Sequence, residues 1–418
     1  MGVSAQLGWR LTSAVFSHRD GLHHAIDLHD HCMTLPYFVI SRYDDMLVAV
    51  STPPDPVIII GGGQSGLNTA RAALEAGLRP VVLESGPRAV GSWPHYYDSL
   101  TLFSPVKYSS FPGAPFPGEP DEYPARDAVI AYLDSYARDL DVEIRTDTRV
   151  SAVTSSRKGG FQVHTEAGEE IAASGVVAAS GSFANPYRPQ VPGQDHFAGA
   201  VLHVAEYRNA QPYAGKRIVV VGAGNSAVQV AYELSGRASV TLATRAPVHF
   251  VAQRRLGKDL HYWLKTTRLD VLPRAWLVRI FTSTPVLDTG IYRDALASGQ
   301  LDRRPMFTRF DGDDVVWPDG SREKVDVVIY ATGYRPNLGY LEGLGALDQT
   351  GMPRHHGGIS TTHAGLVYAG LEFQRSFSSN TLRGVHRDAK YVVEPLAAHV
   401  NNTTRVVSSG GAVPGPAG

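Results

Sequence analysis

A chain of 418 residues exceeds what one hydrophobic core usually fills, about 250–300 residues, so two domains are expected. Hydrophobic residues make up 43%, and Lys plus Arg (39) balance Asp plus Glu (40) to a net charge of -1; this excludes a disordered chain and gives no sign of a nucleic-acid binder. Cys32 is the only cysteine, which excludes an internal disulfide and a redox-active Cys-x-x-Cys pair and fits a cytoplasmic protein.

Residues 1–50 precede the first periodic element and read as an N-terminal extension, a surface appendage. His23, His24, His29, His31 and Cys32 cluster there, but their spacing matches no zinc pattern, so no metal is assigned. The segment also lacks the apolar core and cleavage site of a secretory signal, and no run of ~18 apolar residues is present to span a membrane. Residues 51–56 read as a linker. A strand of β-branched residues is predicted over 57–60, a helix over 68–76 closed by Gly77, and a returning strand over 81–83, which is a βαβ unit. Residues 175–181 are a hydrophobic run leaving through Gly181. The βαβ plan then repeats, with a strand at 219–221, a helix at 226–234 closed by Gly236, and a strand at 239–243. Residues 250–300 read as largely helical, an insertion or lid. Another buried strand is expected at 325–330, leaving through Ala331-Thr332-Gly333-Tyr334, and the two glycine exits mark crossings between domains. Residues 401–418 read as a flexible tail, ending in Gly, Pro and Ala.

Each βαβ unit carries a glycine signature. In the first, Gly61 makes the tight turn, Gly63 lets the backbone approach a pyrophosphate, and Gly66 allows close packing of helix on strand, with Gln64 and Ser65 at the helix start. In the second, Gly222, Gly224, Asn225 and Ser226 take the same places, and Ala227 replaces the third glycine, as the fingerprint permits. Glu84 and Arg245 each stand 23 positions after the first glycine of their motif. A carboxylate there accepts from a ribose 2′-OH, as in FAD, whereas a cation pairs with the 2′-phosphate of NADPH. The plainer alternatives are a purely structural turn at Gly61 and a solvated surface role for Arg245.

These residues resemble the flavin-containing monooxygenases, the class B flavoprotein monooxygenases. Phe197, Gly199, His203 and Tyr207 fill the four defining positions of that family's identifying segment, just before the second glycine motif, and Ala331-Thr332-Gly333-Tyr334 is similar to its Ala-Thr-Gly-Tyr/Phe segment. The resemblance covers roughly residues 55–395. It implies an α/β fold of two Rossmann-like domains, the NADPH-binding domain inserted in a discontinuous FAD-binding domain: FAD at 51–189 and 325–400, NADPH at 190–324. It also implies a reaction in which NADPH reduces FAD, O2 forms a C4a-(hydro)peroxyflavin, and one oxygen passes to a small-molecule substrate. His203 and Tyr207 become domain-coupling positions, with a satisfied linker histidine as the alternative, and Thr332 and Gly333 become cofactor contacts. Ser92 and Trp93 resemble the flavin-contact segment, though Trp93 also reads as a core aromatic. The residues from Trp93 to Tyr123 either wall a flavin pocket or form a rigid coil, with Ser104, Lys107 and Gln374 as polar candidates near the flavin or substrate. Residues 365–370 are similar to the strand that closes the FAD domain.

Baeyer–Villiger members usually end the identifying segment in Trp-Pro, whereas this chain has Tyr207-Arg208, which favours a nitrogen, sulfur or metalloid centre over ketones. Residues 95–105 resemble small bacterial members, some linked with metalloid resistance. Baeyer–Villiger chemistry and electron transfer to an external acceptor remain the alternatives. No nucleic-acid partner or transmembrane span is expected, and a homodimer is compatible with the sequence.

Overall fold

The computed structural model describes residues 55–157, 159–272 and 285–409. The N-terminal appendage with its His23–Cys32 cluster, and residues 410–418 of the tail, lie outside the described residues.

Val57–Ile60 is buried at all four positions and pairs in parallel with Pro80–Leu83 on one side and Gly175–Ala178 on the other. An uninterrupted β-branched run suits a strand covered on both faces. The sheet has seven strands, in the order His355–His356, Ile359–Ser360, Leu366–Tyr368, Gly175–Ala178, Val57–Ile60, Pro80–Leu83 and Glu143–Arg145. Alternate residues serve opposite faces. Val57, Ile59, Val82 and Val177 pack against the helices Gln64–Glu75 and Val385–Ser409, through Ala70, Ala73, Val392 and Leu396. Ile58, Ile60, Val81 and Val176 meet Val153 and Val163 of a three-stranded antiparallel sheet spanning residues 150–173, together with Leu341.

The second sheet has five strands, all parallel: Asp302–Pro305, Ser239–Thr244, Arg217–Val221, Val327–Tyr330 and Ala200–His203. Helix Asn225–Ser235 covers one face with Val228, Ala231 and Leu234, and Phe307, Phe310 and Trp317 cover the other.

Three expectations change. Val327–Tyr330 belongs to the second sheet, in register with Arg217–Val221, so the first sheet does not resume at 325. A buried-strand pattern shows that a strand exists but not which neighbour it pairs with, and here the neighbour is the strand carrying the second glycine turn. Within 250–300 the described residues form two short helices, Leu260–Thr266 and Ile291–Ala297, among short strands such as Phe250–Ala252 and Val286–Asp288. Leu256 and Gly257, both with positive φ, turn the chain between Arg254–Arg255 and Lys258–Asp259 and prevent a continuous helix there. Finally, the closing helix runs to Ser409, into the stretch expected to be a tail. Ala389, Val392, Val393, Leu396 and Val400 recur at helical spacing and are all buried, which commits the helix to the first sheet's face.

Candidate cofactor and substrate cavity

The two glycine turns are built alike. Gly61 has φ +110°, and a Cβ there would lie 2.5 Å from the Ala179 carbonyl oxygen. Gly222 has φ +145°, and its Cβ would lie 2.4 Å from the Ala331 carbonyl oxygen. In both, the first strand exits beside the end of its parallel neighbour, and only glycine fits. A Cβ on Gly66 would fall 1.8 Å from the Gly61 carbonyl oxygen, whereas the Ala227 methyl lies 3.1 Å from a Cβ built on Gly222, so the second helix stands off enough to take alanine. Gly63 and Gly224 are the residues before the helices, in extended backbone, and no side chain caps either helix. Neither first turn carries an acid, so the first amides face outward for phosphate oxygens.

The residues at the ends of the next strands are equally distinct. Glu84 is buried; Oε2 accepts from the Gly62 N–H at 2.6 Å and Oε1 from the Gly86 N–H at 2.7 Å. Oε1 also accepts from the Ser85 hydroxyl at 3.2 Å, so Oε2 keeps a lone pair for a ribose hydroxyl. Arg245 is exposed and has no ion pair or hydrogen bond among the described residues.

Gly61, Gly63, Gln64, Ser65, Glu84 and Ser92 from the first motif, and Asn225 and Ser226 from the second, line one cavity of about 1220 Å³. That exceeds the roughly 300–1,000 Å³ of an ordinary small-molecule site. Trp93 is on its wall, donating Nε1–H to Gln64 Oε1 at 3.2 Å, while Gln64 Nε2 reaches the Asn380 carbonyl. Gly370, which sequence reading did not single out as a site residue, closes against Ser65: a Cβ there would lie 2.0 Å from Ser65 Oγ. The residues present therefore fit FAD at the first turn, where Gly63 has only Gly91 within 4 Å of a built Cβ, and NADPH at the second.

Leu100, Leu102, Phe103 and Ser104 also wall the cavity, whereas Phe111 and Phe116 stack on Tyr132 in the core, so the segment from Trp93 to Tyr123 does both things expected of it. Lys107 is drawn off by Asp121, and Gln374 is buried, bridging the Tyr368 and Gly357 carbonyls. Thr332 and Gly333 are not on the cavity wall. They fasten the return crossing to the outbound one: Thr332 donates to the Tyr187 carbonyl, and the Gly333 carbonyl accepts from the Tyr187 N–H at 3.0 Å.

His203 is fully buried at the end of its strand. Its Nδ1 accepts from the Ala205 N–H at 3.2 Å, and its own N–H donates to Glu206 Oε2, a capping box that turns the chain. Burial, and then the nearby Arg188 charge, lower its pKa, which favours the neutral imidazole; with Nδ1 accepting, the proton falls to Nε2, which is buried without a hydrogen-bond partner. A chain of ring contacts, Trp93–Tyr96–Phe183–Tyr334–His203, with centroids 4.6 to 5.6 Å apart, joins it to the first glycine motif. Tyr207 is buried against Tyr97 and Tyr213, and the Arg208 guanidinium donates to the Pro94 and Tyr96 carbonyls.

Sequence reading missed a buried pair, Asp259 and His261, of which His261 lines the cavity. Asp259 Oδ1 accepts from the His261 N–H and ring Nδ1, both at 2.7 Å, and Oδ2 from the Tyr123 hydroxyl and Gln253 Nε2. No motif marks Asp259-Leu260-His261; Gln253 and His261 are local partners, but Tyr123 comes from 136 positions upstream. Burial opposes ionisation of Asp259, but these hydrogen bonds outweigh it and bring its pKa down to about 2. Because the folded-state value lies below the ordinary one near 3.9, its stabilisation is complete above about pH 4 and is lost as pH falls through 2. The Asp259→Asn protein is expected to melt lower than wild type at pH 7, with the gap narrowing towards pH 2; an equal gap at both pH values would show that the carboxylate's charge is not involved.

The pyridine nucleotide-disulphide oxidoreductase family matches residues 58–284. A CzcO-like oxidoreductase of Geobacillus kaustophilus is 30% identical over 82% of this chain and 98% of its own. The indole-3-pyruvate monooxygenase YUCCA1 of Oryza sativa is 31% identical over 67% and 77%. Among solved structures, a flavin-containing monooxygenase from Stenotrophomonas maltophilia superposes with a TM-score of 0.73 at 31% identity, covering 82% of this chain and 98% of that one. The disulphide branch of the wider family passes electrons through a cysteine pair, which this sequence does not contain. The chain belongs to the pyridine nucleotide-disulphide oxidoreductase family and, within it, to the flavin-containing monooxygenases, enzymes that use FAD and NADPH.

Proposed function

We propose that this monooxygenase transfers one atom of O2 to a small soft nucleophile, a nitrogen, sulfur or metalloid centre, using NADPH. The observation that carries the reading is that the first glycine turn and the start of the helix after the second, Asn225 and Ser226, line one cavity, although Gly222, Gly224, Ala227 and Arg245 are not on its wall; two dinucleotides can meet there. When bound, FAD supplies the electron transfer from NADPH and the activation of O2. The residues' part is to bind, orient and exclude water.

In this reading FAD lies on Gly61, Gly63, Gln64, Ser65, Gly66 and Glu84, with Ser92 and Trp93 beside the ring system. NADPH lies on Gly222, Gly224, Asn225, Ser226 and Ala227, with Arg245 at the 2′-phosphate. The FAD-binding domain comprises the first sheet's two pieces, and the NADPH-binding domain is the segment between the glycine exits, including Val327–Tyr330. His203, held through Nδ1 and with its buried Nε2 unpartnered, acts as a positioning residue: with Tyr334 it transmits the arrangement of one domain to the other. Arg208 supports the preference for soft nucleophiles over ketones, because its bonds to Pro94 and Tyr96 are ones that the proline of the Baeyer–Villiger pattern cannot make.

Under 18O2, an accepted amine, sulfide or arsenite compound should gain one labelled oxygen per NADPH consumed. NADPH oxidation that yields only hydrogen peroxide with every class, or reduction of a carrier without labelled product, contradicts the reading. Labelled esters from ketones favour the Baeyer–Villiger alternative.

A further inference from the structure

One residue of the cavity wall is a guanidinium that belongs to neither glycine turn. It is Arg383, just before the helix Val385–Ser409, with a side chain only 12% exposed. Its charged partner is Asp270, with Nε 3.6 Å from Oδ2, too long for a hydrogen bond. Its buried Nη2 has no hydrogen-bond partner.

Asp270 is shared. Arg387 approaches the same Oδ2 at 3.5 Å, so one carboxylate faces two guanidinium groups and one positive charge is left over. The other acids nearby do not supply the balance: Asp388 acts on Arg387, but its ion pair is with Arg375 at 3.3 Å. Asp259 acts on Arg383 only at a distance, and its oxygens are occupied by His261, Tyr123 and Gln253. Glu372 is also on the cavity wall, but burial alone shifts its ionisation, upward, with no cation contributing. An arginine cannot shed its proton, and an unpaired charge held out of water is costly. Such a group in a cavity wall calls for an anion. Phe373, Phe377 and Leu382 line the cavity from the same stretch of chain, so the surroundings of that anion are apolar.

We propose that Arg383 binds the anionic head of the substrate, so that the enzyme's substrates are small organic acids carrying the oxygenated atom on an apolar body. Asp270 and Arg387 are then positioning residues, which set how much of the Arg383 charge remains for the ligand. The identity of the occupant as substrate rests on the monooxygenase reading.

The test titrates the flavin-loaded, oxidised enzyme with phenylacetate and with its neutral isostere phenylacetamide, reading the flavin difference spectrum. Wild type is expected to bind phenylacetate at least tenfold more tightly than the amide. Arg383→Met should lose that preference with flavin content intact, and Arg383→Lys should restore part of it. Asp270→Asn should act in the opposite sense and tighten phenylacetate, an effect that a merely structural role would not produce. Equal binding of acid and amide by wild type overturns the proposal. So does loss of flavin from both Arg383 variants, which would assign the charge to the cofactor. If Arg383→Met fails to accumulate, the sign of the Asp270→Asn effect decides. A flavoprotein that shows these preferences but transfers no 18O would fail the proposed function and leave the anion site standing.

Discussion

The Gly63→Val protein is expected to fold and to lose its flavin, whereas Gly66→Ala is expected to lose the fold's local packing. The two positions are three residues apart, and the motif gives them different roles. A Cβ on Gly63 meets only Gly91, at 3.4 Å, so the polypeptide accepts it; the branched side chain then projects where a pyrophosphate must approach. Two charge-assisted hydrogen bonds lost at roughly 1.5–3 kcal/mol each amount to a weakening of at least about 100-fold. A Cβ on Gly66 would sit 1.8 Å from a backbone oxygen, and the helix can escape only by moving off the strand. Overpacking of that kind typically costs about 1–3 kcal/mol. Flavin absorbance per chain and thermal melting of the two variants, side by side, check this. A yellow Gly63→Val protein with full flavin would show that the pyrophosphate lies elsewhere.

Replacing Arg245 with alanine is expected to raise KM for NADPH by roughly 10–100-fold, the equivalent of one charged hydrogen bond. KM for NADH should move less than about twofold, and kcat should be unchanged, because the contact is made equally in ground and transition states. Arg245 follows the buried strand Ser239–Thr244, is exposed, and has no carboxylate partner among the described residues, so its charge is free for a ligand. An unchanged ratio of NADPH to NADH would remove Arg245 from the site.

Local features were readable from sequence because local rules produce them. Gly61 and Gly222 need left-handed backbone beside a neighbouring carbonyl, and the strands before them are β-branched apart from Arg217. Glu84 and Arg245 fall at strand ends because the lengths of strand and helix put them there. What sequence could not show is partnership over distance. Val327–Tyr330 reads as a buried strand in either sheet, and only its register with Arg217–Val221 places it. Gly370 meets Ser65 across the molecule. Asp259 draws on Tyr123, and Arg383 on Asp270; the two carboxylates read as ordinary surface residues in the sequence, yet both are buried beside partners more than 100 positions away. Of the antiparallel strands of residues 150–173, only Phe161–Thr165 alternates cleanly; Val150–Ser155 and Glu170–Ala173 bury one residue each, too little pattern to mark a sheet.

The central claim is that both dinucleotides meet in the one cavity. It is tested most directly by mixing the purified protein anaerobically with NADPH deuterated at the transferred C4 position. One flavin per chain should be bleached by one equivalent of NADPH, more slowly with the deuterated coenzyme by a primary isotope effect. Bound flavin that NADPH does not reduce, or reduction without an isotope effect through an added carrier, would contradict the claim.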